Sequence, residues 1–154
     1  AVVAAKRALG EVNEQIDQAY ANLGLDSASE WLPILIPIRE LELERHRDKS
    51  ILEYAKHFAE VSLSTRPLPL DFFEYWLDEG RALILLDGLD EADEKRRHKV
   101  VERINSFLDQ FDHNPAIITS RPAGYSRTFF NTDACPHYEL LSFNDNQINE
   151  FIEH

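Results

Sequence analysis

The sequence predicts an α/β three-layer sandwich, a mostly parallel sheet with helices on both faces. Three observations carry this. Short aliphatic runs at 82–87 and 116–119 are bounded by polar residues and turn formers, and the first fits a strand buried on both faces. Between them Val100, Val101, Ile104, Phe107, Leu108 and Phe111 repeat at helical spacing. A third branched aliphatic run, at 31–39, precedes them.

The totals bound what such a fold could do. With 154 residues the chain has room for one domain with a real core. A formal net charge of -12 argues against general binding to nucleic acid or to an anionic membrane. A nucleoside triphosphate would need local cations to be held. One cysteine, Cys135, excludes an internal disulfide and fits a reducing compartment. No apolar run approaches the ~20 residues that cross a bilayer and no signal peptide opens the chain, so a cytoplasmic location is expected. The chain starts at Ala1 and contains no methionine, which implies a removed initiator or a piece of a longer protein.

Residues 1–23 read as a helix, with Leu9, Val12, Ile16, Tyr20 and Leu23 forming one stripe. Gly24 is placed to end it, although Gly10 inside costs roughly 1 kcal/mol against alanine. After a polar connection at 25–30 comes the first strand, which Pro33 and Pro37 confine to a sheet edge or to one open side. The charged stretch 42–49 is expected to be a loop or a short exposed helix. Ser50 and Glu53 have capping-box spacing, and Leu52, Ala55, Phe58 and Ala59 stripe the helix behind them. Residues 65–69 break the pattern. Phe72, Phe73, Trp76 and Leu77 then mark the buried side of a short helix stopped by Gly80.

Following the second strand, Asp93 or a neighbour opens a helix to about residue 111, with Lys95, Arg96, Arg97 and Lys99 on a solvent face near its start. Asn114-Pro115 is turn chemistry, and Pro122 and Gly124 stop the strand that comes after it. Residues 138–141 are expected to form a further strand. Asn144 and Gln147 repeat the earlier cap spacing ahead of a last helix carrying Ile148, Phe151 and Ile152.

The chemistry concentrates at two strand ends. Leu83-Ile84-Leu85-Leu86 runs straight into Asp87-Gly88-Leu89-Asp90-Glu91. Open parallel sheets place ligands just beyond the carboxyl ends of their strands. Asp87 would stand at that tip, Gly88 permits a sharp turn, and Asp90 and Glu91 return negative charge to the same mouth. One such carboxylate can hold Mg²⁺, directly or through water, while another orients or deprotonates an attacking water. The plainer alternative is a solvated helix entry whose acids complement the dipole. Ile117-Ile118-Thr119 delivers Ser120-Arg121-Pro122 to a second tip. If the strands are neighbours, the acids and Arg121 face one site, which suits phosphoryl transfer. The plainer alternative is an ion pair that staples strand ends together. A third possibility is an acidic metal site at Asp87, Asp90 and Glu91 that works without nucleotide.

These residues resemble the NACHT group of signalling P-loop NTPases, in the STAND class. The run 83–92 looks like that group's Walker B motif, Ile117-Ile118-Thr119-Ser120-Arg121-Pro122 resembles its sensor 1 strand, and 32–41 is similar to its second strand. Residues 138–151 resemble its closing strand and helix. The resemblance covers roughly 31–152, so 1–154 reads as a single partial domain with a helix at 1–25 in front. By position it implies Asp87 as the Mg²⁺ aspartate, Asp90 and Glu91 as the acids of water activation, and Arg121 as the sensor of the γ-phosphate, with Ser120 beside it at the nucleotide. It implies Mg²⁺ and ATP or GTP as cofactors of the intact protein. Other domains of a larger signalling protein are the implied partners.

One departure matters. Such domains begin with a strand and a loop of pattern G-x-x-x-x-G-K-[ST]. The five glycines here, at 10, 24, 80, 88 and 124, never precede a lysine. Backbone N–H groups and the lysine of that loop supply most of the affinity for β- and γ-phosphates. Two expectations follow: part of a NACHT-type NTPase cut after the loop and inactive alone, or a degenerate, non-catalytic protein-interaction scaffold. An exposed sheet edge would also invite self-association.

Overall fold

The computed structural model describes residues 18, 20–26, 29–62 and 68–153. The expected helix at 1–23 lies mostly outside the described residues. Its end is present: Tyr20 is buried, and Gly24, at φ +67°, donates its N–H to the Ala21 carbonyl at 3.0 Å and closes the turn.

Three strands form a parallel sheet in the order β1-β2-β3, with β1 at Leu32–Pro37, β2 at Ala82–Asp87 and β3 at Ala116–Ile118. The prolines find the place the sequence required. Leu32 N–H donates to the Arg81 carbonyl, and alternate residues of a strand donate to the same side. Pro33 and Pro37 therefore sit where the missing N–H would face away from β2, on the edge strand. β2 lies in the centre and is apolar on both faces, as its continuous Leu-Ile-Leu-Leu run predicts.

Four helices with defined bounds lie among the described residues: α1 at Ile51–Ser62, α2 at Phe72–Asp78, α3 at Arg97–Gln110 and α4 at Asp145–Glu153. One face of the sheet contributes Ile34, Ile36, Ala82, Ile84 and Leu86 to the main core. Ile51, Tyr54 and Ala55 of α1, Phe73 and Leu77 of α2, and Val100, Val101, Ile104 and Phe107 of α3 complete it. Each large aliphatic buried there contributes about 1.5–3 kcal/mol. On the opposite face Leu83 packs with Tyr20 and Leu25, and with part of Trp31 and Leu85. The α/β architecture is thus the expected one.

Local rules hold where they are purely local. Ser50 and Glu53 form a reciprocal capping box, with Ser50 N–H on Glu53 Oε2 at 2.6 Å and Glu53 N–H on Ser50 Oγ at 3.1 Å. Asn144 and Gln147 do the same at the start of α4. Gly80, at φ +66°, follows α2 as its stop.

Two expectations are corrected. Residues 138–141 are not a strand: Tyr138, Leu140 and Leu141 are 91%, 99% and 88% exposed. A strand exists only by pairing, and no described strand lies beside this segment. Stretch 42–49 is a loop of turns, as expected, and most of it is exposed. A 3-10 helix at Ile38–Glu42 buries Ile38 and Leu41, and the turns after it bury His46 to 3% exposure. The Arg103 guanidinium of α3 fastens that stretch by donating to the carbonyls of Leu41, His46 and Lys49. Finally, α3 starts at Arg97 rather than Asp93. The Asp93 side chain accepts from Lys95 N–H and its carbonyl from Arg96 and Arg97, which makes a turn ahead of the helix.

Candidate functional site

Because β2 and β3 are parallel neighbours, their carboxyl ends lie together, and Asp87 and Arg121 come to the same edge of the sheet. The register pairs Leu86 with Ile118, so the next residues, Asp87 and Thr119, meet across the gap. Four hydrogen bonds join the two ends. Thr119 N–H donates to the Leu86 carbonyl, Leu89 N–H to the Thr119 carbonyl, Gly88 N–H to Thr119 Oγ1 at 3.0 Å, and the Thr119 hydroxyl to Asp87 Oδ1 at 2.6 Å. Asp87 Oδ2 has no partner among the described residues.

Gly88 makes the turn possible. Its φ of +78° is a left-handed conformation that favours glycine, and a Cβ there would crowd Glu91 Cδ at 3.1 Å. The chain then forms a 3-10 turn at Leu89–Glu91, with Leu89 fully buried as its anchor. That anchor sends the two acids in different directions.

Asp90 turns toward β3. Its Oδ1 accepts the Arg121 N–H at 2.9 Å, and Oδ2 lies 3.7 Å from Arg121 Nε. Its side chain is 18% exposed, while that of Arg121 is 85% exposed. Gly124 lies against it so closely that an added Cβ would be 2.3 Å from Asp90 Cβ. Glu91 turns toward β1, where its Oε2 sits 3.6 Å from Arg39 Nη1. Arg97 crosses beneath and donates to the carbonyls of Asp90 and Ala92, so one residue of the expected basic face points inward. Ser120 is beside this network and not within it; its hydroxyl donates to the Arg121 carbonyl at 3.1 Å.

The expected residues are therefore gathered at one mouth: Asp87, Asp90, Glu91, Ser120 and Arg121. Sequence reasoning did not single out Thr119, Gly124 or Arg97 for the site. Thr119 left one trace, a hydroxyl directly after an apolar run, but its partner is 32 residues away. The three acids do not converge as one metal cage. Among the described residues no three His, Cys, Asp or Glu side chains group as a metal site. Mg²⁺ asks for less. It is commonly held by one or two carboxylates with waters and phosphate oxygens, and the unpartnered Oδ2 of Asp87 fits that role.

Comparison with known proteins gives one match. The family model described as the NACHT domain covers residues 15–154. No curated protein and no solved structure matches the chain. With the parallel sheet, the acidic tip after β2 and the arginine tip after β3 in place, that coverage places the chain in the NACHT domain family, whose fold is that of the P-loop NTPases.

Proposed function

We propose that this domain forms the cation-binding and phosphate-sensing edge of a nucleoside-triphosphatase whose nucleotide state switches the assembly of a larger signalling protein. The observation that supports it is the joint placement of Asp87 and Arg121 at the ends of adjacent parallel strands. Asp87 offers Oδ2 to Mg²⁺, which when bound neutralises charge on the β- and γ-phosphates of ATP or GTP. Glu91 and Asp90 orient the attacking water, with Glu91 the more open of the two. Arg121, whose guanidinium is largely exposed, stabilises charge on the transferred phosphoryl group, and Ser120 lies next to it.

The same reading makes this 154-residue chain inactive alone, since no glycine in it precedes a lysine, as the pattern of a phosphate loop requires. Calorimetry with Mg-ATP tests this. The chain is expected to bind more weakly than micromolar and to hydrolyse nothing. The whole encoded protein is expected to bind nucleotide and to lose about a hundredfold in turnover with Arg121→Ala. Micromolar binding or steady turnover by the chain would contradict the first part, and nucleotide-independent behaviour of the whole protein the second.

A second reading, a non-catalytic interaction scaffold, is favoured by one observation: Asp90 already accepts the Arg121 backbone N–H and lies beside its guanidinium. It requires that Asp87→Asn and Arg121→Ala leave nucleotide binding of the whole protein unchanged. In either reading the partners are other domains of the same protein, and the outer edges of β1 and β3 offer a route to self-association. A monomer by light scattering at high concentration would remove that route. No helix among the described residues is long and apolar enough to cross a membrane. The proposed location is the reducing cytoplasm, which the single cysteine supports.

A further inference from the structure

The geometry points to Thr119 as the positioning residue for the Asp87 carboxylate, setting which of its oxygens is left for a divalent cation. This rests on the proposed role of Asp87 as cation ligand. The hydroxyl has one proton and must also accept the Gly88 N–H at 3.0 Å. That bond leaves the proton for Asp87 Oδ1, 2.6 Å away, and an ionised carboxylate can only accept. Oδ1 thereby spends one of its two acceptor sites and is held in place, while Oδ2 is left without a partner among the described residues.

The donor is itself immobilised. Thr119 N–H is held by the Leu86 carbonyl and the Thr119 carbonyl by Leu89 N–H, both at 2.9 Å, so the hydroxyl is delivered from a fixed backbone. Partners that orient a metal ligand remove the disorder it would otherwise lose on binding, and deleting them weakens metal affinity by about 10–100-fold. Asp87 is exposed on its strand tip, so without the hydroxyl its carboxylate would rotate freely.

The test is a Mn²⁺ titration of this chain, following paramagnetic broadening of the Gly88 and Leu89 amide signals by NMR. Asp87→Asn is expected to abolish the broadening at those amides. Thr119→Val is expected to weaken the apparent Mn²⁺ affinity about tenfold, at the lower end of that range because the site is open. Thr119→Ser, which keeps the hydroxyl, is expected to stay within twofold of the parent. Thr119→Ala removes the hydroxyl by a second route should the valine methyl disturb the strand end. If Asp87→Asn abolishes the effect while Thr119→Val and Thr119→Ala match the parent, the positioning role is overturned and the cation site stands. If Asp87→Asn itself broadens like the parent, Asp87 holds no cation and both proposals fall together.

Discussion

Asp90 holds Arg121 at two points, accepting its backbone N–H at 2.9 Å on Oδ1 and facing its Nε at 3.7 Å with Oδ2. The backbone bond anchors the chain three residues beyond the end of β3. The longer contact leans on an exposed guanidinium and adds little. This division predicts how substitutions at the site behave.

Asp90→Ala should cost about 1 kcal/mol in urea unfolding, because Arg121 N–H loses its acceptor, whereas Asp90→Asn keeps an acceptor oxygen and should recover most of it. Gly124→Ala should cost about 1–3 kcal/mol, since its methyl would have to occupy space 2.3 Å from Asp90 Cβ and 2.6 Å from Asp90 Cα. An unchanged denaturation midpoint for Gly124→Ala would mean that the turn after Arg121 is free to move.

Asn114 is the buried polar joint of the fold. Its Oδ1 accepts Ala82 N–H at 2.9 Å, and its Nδ2 donates to the carbonyls of Leu77 and Phe111 at 2.7 and 3.1 Å. It thus ties the start of β2 to the ends of α2 and α3. Asn114→Ala leaves those groups buried and unmatched, and should lower stability by about 3 kcal/mol by chemical denaturation.

Arg103 replaces, by three bonds to main-chain carbonyls, the secondary structure that 42–49 lacks. Arg103→Met should cost about 2–3 kcal/mol and raise amide exchange selectively between residues 43 and 49. Arg103→Lys should recover only part, because an ammonium cannot span three carbonyls as a planar fork does. Uniform rather than local exchange would argue against this assignment.

His46 makes that same stretch sensitive to acid. Burial lowers its pKa from the ordinary value of 6.5, and the nearby charges of Arg45 and Lys49 and the ring of His57 push the same way, against Glu40. The folded state therefore binds fewer protons than the unfolded one just below pH 6.5. Stability is full above that value, falls as pH drops through it, and levels off once the folded-state pKa has been passed. His46→Gln should reduce the slope in that window. Glu53, held below its ordinary value by the Ser50 N–H and hydroxyl, contributes its own loss only at lower pH, as its carboxylate protonates. Urea midpoints from pH 7 to pH 4 separate the two.

Much of the architecture was legible because it depends on neighbours in the chain. The aliphatic run of β2, the capping box at Ser50 and Glu53, the stops at Gly24 and Gly80 and the edge position forced by Pro33 and Pro37 all follow from spacing and residue type. Residues 138–141 carried the same local signal as a strand and failed, since apolar content does not supply a neighbour to pair with. The charged stretch 42–49 is the loop its composition suggested, but the burial of His46 within it and its fastening to an arginine more than 50 residues further along were not legible.

By itself the sequence determined that an aspartate and an arginine would each follow a short apolar strand, since strand and charge lie close together in the chain. Only the tertiary structure decided that Asp90 turns to Arg121 while Glu91 turns to Arg39, and that Thr119 reaches Asp87. The reason is register. Local periodicity says that a residue ends a strand, but which group it meets there is fixed by strand pairing and by the burial of Leu89 between the two acids' paths.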